Sequence, residues 1–174
     1  ARLGLIRYLL APNIAHWMFL SDWQRELPQV TTFAARGLAA RRQVRAARIR
    51  IDRELGEATP EEWRADLEAV SVNAPMFSEI ELFDKRSRTL ILTDLVQNLD
   101  PNDLSASNEA AANLLGISKP NGTAPVYLRL LLRLGGRSVR SAAERLVRLS
   151  PERVIFAHGD WFESNGTERL RRSL

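Results

Sequence analysis

Three short stretches of this chain carry side chains that bind metals or move protons. They are Asn13-Ile-Ala-His16, Thr93-Asp94 and His158-Gly159-Asp160. Each follows a segment that reads as a strand, and strand ends are rigid platforms for ligands. An imidazole, a carboxylate and a second imidazole converging from His16, Asp94 and His158 would suit one divalent metal such as zinc, iron or manganese. Such a set leaves coordination positions for water or substrate. His16 and His158 are the only histidines and cysteine is absent. No multi-histidine cluster, zinc ribbon, iron–sulfur centre, disulfide framework or cysteine nucleophile can therefore be built. A plainer use stands beside the metal one: His and Asp after strands often cap a helix or turn through the backbone. Spacing alone leaves both open.

The elements that must position these residues alternate along the chain. Leu5–Ala11 is short, apolar and ended by Pro12-Asn13, which predicts a buried strand. From Ile14 to Leu27, Trp17, Leu20 and Trp23 recur at helical steps, with Phe19 and Leu27 nearby and Pro28 closing the run. At that spacing the aromatic residues read as core rather than as a pocket. Gln29–Ala34 reads as a second strand, Gly37–Ala47 as a helix and Ile49–Pro60 as a loop. Thr59-Pro60-Glu61-Glu62 has the form of a helix start. Val70–Val72 is a short strand. Ser78–Phe83 and Arg88–Thr93 form a hairpin across Asp84-Lys85-Arg86-Ser87. Asn98–Gly122 is polar, with one helix at Ser107–Leu115 between two loops. Helices follow at Pro125–Leu134 and Ser138–Leu149, broken by Gly135-Gly136. Arg153–Ala157 is a last strand and Thr167–Leu174 a last helix. The pattern is α/β with mixed strands, where ligands collect at carboxyl ends of strands.

With 174 residues, 45% hydrophobic and 26% charged, the chain has ordinary globular composition. The net charge is +4, and of 25 basic residues only Lys85 and Lys119 are lysine. Arginine hardly titrates below pH 12, so the pI near 10.3 overstates the basicity felt at neutral pH. Arg36, Arg41, Arg42, Arg45, Arg48 and Arg50 form the densest basic run. Without interleaved aromatics it reads as a solvated face rather than a nucleic-acid surface. The apolar run from Leu3 to Ala11 contains Arg7 and stops at Pro12, a poor signal peptide, and nothing approaches a membrane span. There is no Gly-x-Ser-x-Gly elbow and no phosphate-binding glycine loop.

The segment Phe83-Asp-Lys-Arg-Ser-Arg-Thr-Leu-Ile-Leu-Thr-Asp94 resembles the matching hairpin of a metallo-β-lactamase-like family, the uncharacterised "domain of unknown function 4336". Ala15-His16-Trp-Met-Phe with Leu27-Pro28-Gln29-Val30, and Arg153-Val-Ile-Phe-Ala-His-Gly159, are similar to the same family and occur in its order. The resemblance implies a single domain over residues 1–174 with an αβ/βα sandwich of mixed sheets, short of some N-terminal strands. In active members of the superfamily a His-x-His-x-Asp-His loop, a further His, a bridging Asp and a final His hold two metals. By that likeness Asp94 takes the place of the bridging Asp, His158 that of the final His, and His16 a place in the first loop. In every register of His16 the first motif lacks its Asp and at least two His, so the usual two-metal site cannot form.

The expectation is a metallo-hydrolase-like protein with a degenerate site, holding at most one divalent metal on His16, Asp94 and His158, with Asn13 or Asp160 as helpers. The alternative is a non-catalytic binding protein that keeps the fold without metal. The expected partner is a small-molecule ligand rather than nucleic acid or membrane, and the expected compartment is the cytoplasm.

Overall fold

Tyr8–Ala11 (β1), Thr31–Ala35 (β2) and Arg53–Leu55 (β3) pair in parallel in the order β1-β2-β3. This is a computed structural model and describes residues 4–120 and 122–174; Leu3 and Asn121, which fall in the expected N-terminal run and the expected polar loop, lie outside them. The described residues divide into two compact units, one reaching to Gly56 and the other running over Glu57–Leu174. β2 is buried from Thr32 to Ala35, as a central parallel strand must be when both faces are covered. One core of this unit gathers Ala11, Leu20, Ala34, Leu38, Val44 and Ile49.

Several elements here differ from those expected of the sequence, each for a local reason. Ile14–Phe19 is turn rather than helix because the Asn13 Oδ1 accepts the backbone N–H of both Ala15 and His16, at 2.9 Å each. The helix α1 runs only over Leu20–Glu26 and buries Leu20. Trp23 is 48% exposed and Phe19 69% exposed, so only Trp17 of the aromatic group packs against the core. A turn at residues 36–40 delays the next helix, α2, to Arg42–Ala46. β3 sits inside the stretch expected to be loop. It is too short and polar to show periodicity, and it is held by β2 and by the Arg53 guanidinium lying 5.0 Å over the Phe33 ring. Arg50 is a clamp rather than a free cation: it donates to the carbonyls of Val30 and Pro28 and pairs with Asp52.

In the second unit Leu67–Ala74 (β4), Phe77–Asp84 (β5), Thr89–Ile91 (β6) and Arg153–Ile155 (β7) form a mixed sheet in that order. β4, β5 and β6 are antiparallel neighbours, and β7 joins β6 in parallel. The expected hairpin is present, its turn held by Asp84 Oδ1 accepting from the N–H of Arg86 and Ser87. The expected helix at Thr59 is only a 3-10 turn, Glu61–Trp63. The Thr59 hydroxyl accepts from the N–H of Ala69 in β4 instead of capping, and the chain enters the sheet at Leu67.

Ala106–Leu115 (α3), Val126–Leu134 (α4), Gly136–Arg148 (α5) and Gly166–Ser173 (α6) complete the unit. α5 packs on β4, anchored by the Arg145 fork on Glu68 Oε1 at 3.0 and 2.8 Å. The core beneath contains Val70, Val72, Phe83, Leu90, Leu146, Val154, Phe156 and Phe162. Leu146 is fully buried, so Leu146→Ala should cost about 2–5 kcal/mol. Urea unfolding followed by circular dichroism will show this as a lowered midpoint with an unchanged slope.

Candidate metal centre

Parallel pairing of β6 with β7 sets Thr89 beside Arg153, Leu90 beside Val154 and Ile91 beside Ile155. The register continues past the strands. Leu92 N–H donates to the Ile155 carbonyl at 2.9 Å and Ala157 N–H to the Thr93 carbonyl at 3.3 Å. Asp94 and His158 therefore leave the same sheet edge side by side. His158 Nε2 lies 2.9 Å from Asp94 Oδ1, and with a carboxylate as acceptor the imidazole is the donor. Both side chains reach solvent, at 41% exposed for His158 and 21% for Asp94. His16 lies in the other unit, half-buried in the turn after β1 that Asn13 shapes.

Each of the two side chains rests on its own support. Behind Asp94, the chain has left the sheet and its amides need new acceptors. Glu79 of β5, fully buried, provides them. Its Oε1 accepts from the N–H of Thr93 (2.9 Å), Asp94 (3.0 Å) and Leu95 (3.2 Å), and its Oε2 also accepts from Asp94 at 2.9 Å. Glu81, two residues on and also fully buried, has no donor on either oxygen. Burial pushes the Glu81 carboxyl well above the ordinary carboxylate range. The Glu79 charge, the hydrogen bond that a protonated Glu81 donates to Glu79, and the Asp94 charge push the same way.

Behind His158 the support is a tight turn. Val154 and Phe162 exchange two backbone hydrogen bonds of 2.9 Å, so the chain reverses between them with His158-Gly159-Asp160 at its tip. The tip is stitched to Asn98: Asn98 N–H donates to the His158 carbonyl (3.0 Å), Asp160 N–H to the Asn98 carbonyl (2.9 Å) and Asn98 Nδ2 to the Asp160 carbonyl (2.8 Å). Gly159 has φ +89° there, and a Cβ on it would lie 2.1 Å from the Asn98 carbonyl oxygen. Lys119 joins the same loops, pairing with Asp100 at 2.8 Å and with Asp160. Its hydrogen bond, followed by that of the Asn102 N–H, holds the Asp100 carboxyl below its ordinary value. A cavity of about 670 Å³ opens beside this turn, lined among others by Lys119, Asp160, Trp161 and Arg169.

An imidazole nitrogen and a carboxylate oxygen form a donor set that fits a divalent cation. Two ligands of one tetrahedral zinc stand about 3.4 Å apart, given metal–ligand distances near 2.1 Å. The Asp94–His158 distance of 2.9 Å reaches that with an opening of about half an ångström. Of the supporting residues, Glu79, Asn98 and Lys119 carry no role that the sequence alone suggests. Glu79 and Glu81 alternate with Ile80 and Leu82, the pattern of a strand with one wet face, so nothing local marks those acids as buried.

Gly159→Ala should combine a left-handed backbone penalty of about 1–2 kcal/mol with the clash on Asn98. The expected outcome is a lower melting temperature with His158 displaced, read from the shift of its ring resonances. Glu81→Gln tests the buried acid. The folded state holds the Glu81 proton more tightly than the unfolded chain, so its contribution to stability is full below the ordinary carboxyl pKa of about 4.5. That contribution is lost as pH rises through the raised folded pKa. Gln keeps the donor without the ionisation, so the variant should melt higher than the parent at pH 8, with the difference shrinking toward pH 4.

No family model matches the chain, and no curated protein does. Among solved structures it is similar to the DIM-1 metallo-β-lactamase exposed to ceftazidime, at TM-score 0.56 and 11% identity over 94% of this chain and 64% of that one. A second crystal structure of the DIM-1 metallo-β-lactamase gives TM-score 0.55 and 10% identity over 94% and 66%. The chain thus spans just under two thirds of the length of these neighbours. At such identity the likeness speaks for architecture alone: the chain has a metallo-β-lactamase-like α/β fold.

Proposed function

We propose that residues 1–174 act as one metallo-hydrolase-like domain that binds a single divalent metal, zinc, iron or manganese, on His16, Asp94 and His158. The observation that carries the reading is the Asp94–His158 pair, 2.9 Å apart on adjacent strand ends of this fold and open to solvent. His16, in the turn after β1, is assigned as the third ligand because it too follows a strand, with Asn13 or Asp160 in a helping role. On the Phe83–Asp94 hairpin we group the chain with the uncharacterised "domain of unknown function 4336".

A cation on these residues would supply Lewis acidity and a water of lowered pKa. The chain's own part is to orient the ligands and to present the right imidazole tautomer. His158 can offer its Nε2 lone pair to a metal only as the tautomer that carries its hydrogen on Nδ1, so the hydrogen now shared with Asp94 moves to the other ring nitrogen when a cation is held there. The cavity beside His158 is within the size range of small-molecule sites and carries both charge signs. It supports a small polar ligand as substrate. Among the described residues no helix is long and apolar enough to cross a membrane. The cysteine-free composition agrees with a reducing compartment, and we assign the protein to the cytoplasm.

One observation favours a second reading. Asp94 and His158 hydrogen-bond to each other directly, a contact that a binding protein which has dispensed with metal would also keep. Elemental analysis of the purified protein beside a His16→Ala, His158→Ala double variant separates the two. Near-stoichiometric metal that disappears in the variant is the expected result. Protein that stays metal-free after reconstitution overturns the metal reading and leaves a metal-independent binding module.

A further inference from the structure

Glu79 is an expensive residue to bury. A carboxylate taken out of water costs several kcal/mol unless its lone pairs are met, and here they are met by three consecutive backbone N–H groups. Those N–H groups belong to Thr93, Asp94 and Leu95, the residue read as a metal ligand and its two neighbours. Among the described residues no strand pairs with this stretch, whose last sheet contact on the β7 side is the Thr93 carbonyl. A charged acceptor held in the interior of β5 therefore takes over the work of a missing ladder, and does so with the stronger, charge-assisted kind of hydrogen bond. Three successive amides turned toward one anion form a concave nest, which fixes the backbone angles on both sides of Asp94. Those angles set the direction of the Asp94 Cα–Cβ bond, and hence where its carboxylate meets His158.

We propose that Glu79 is the positioning residue of the candidate metal centre, aiming Asp94 through the amides of residues 93–95 without touching metal or substrate itself. The proposal rests on the reading of Asp94 as a ligand. The structure supplies its own control in Glu81, which shares strand, face and full burial with Glu79 but holds none of the three amides.

The test has two independent readouts. In the unmodified protein, amide hydrogen exchange followed by nuclear magnetic resonance should show Thr93, Asp94 and Leu95 exchanging as slowly as the sheet amides of β6. Rapid exchange at all three overturns the proposal without any variant being made. Zinc affinity is then measured by competition with a chromophoric chelator for the parent, Glu79→Gln and Glu81→Gln. Loss of an orienting partner of this kind typically weakens metal binding about 10- to 100-fold. Glu79→Gln should fall in that range and lose the slow exchange of the three amides, while Glu81→Gln stays within about twofold on both. Equal losses in the two variants, or none in either, overturn the proposal. If the parent binds neither zinc nor iron nor manganese, the metal reading fails, and the exchange data decide whether Glu79 positions Asp94. Should Glu79→Gln fail to fold, exchange in the parent together with Glu81→Gln still decides it.

Discussion

The parallel pairing of β6 with β7 is the constraint on which the candidate centre depends. The two strands are far apart in sequence, and only their pairing makes Asp94 and His158 neighbours. Once Leu90 faces Val154 in the core, the register leaves no choice about which residues emerge together at the carboxyl edge. A shift of one residue would send Val154 and Leu90 out of the core, at a cost the unit could not absorb. The hydrophobic core therefore enforces the polar geometry at its rim.

That rim is built by backbone substitution rather than by continued sheet. The loops leaving this sheet find their hydrogen-bond partners in a single side chain or a single extended neighbour, Glu79 for residues 93–95 and Asn98 for residues 158–160, and in the other unit Asn13 does the same for residues 15 and 16 after β1. All three organisers are buried, and all three satisfy backbone groups that a strand or helix would otherwise have satisfied. Rigid loops of this kind are what a ligand set needs, since a ligand must be held to within a fraction of an ångström.

Much of this was legible from residue order. The Asp84–Ser87 turn, flanked by apolar runs, announced its hairpin, and Gly135-Gly136 announced the break between α4 and α5. Asp94 and His158 stood out because each follows an apolar run that could only be a strand. Other features were hidden for physical reasons. β3 has three residues, two of them charged, and owes its form to a neighbour rather than to any pattern of its own. The helix expected from Ile14 lost its first turn to a side-chain acceptor, a competition that propensity does not register. Glu79 and Glu81 follow the alternation of an ordinary half-wet strand, and only the packing of the unit turns that face into core. The parallel partner of β6 was likewise invisible, because pairing across more than sixty residues leaves no trace in local spacing.

The cavity beside His158 has a further consequence, in the rate at which molecules arrive. Lys119 and Arg169 line it together with Asp160 and Glu163, so its lining carries two charges of each sign. Lys119 is moreover already engaged by Asp100 and Asp160. A lining so balanced adds nothing of its own to long-range steering, which can raise association rates by factors of about ten to a thousand. Discrimination between charged molecules at this cleft therefore falls to contacts made after arrival.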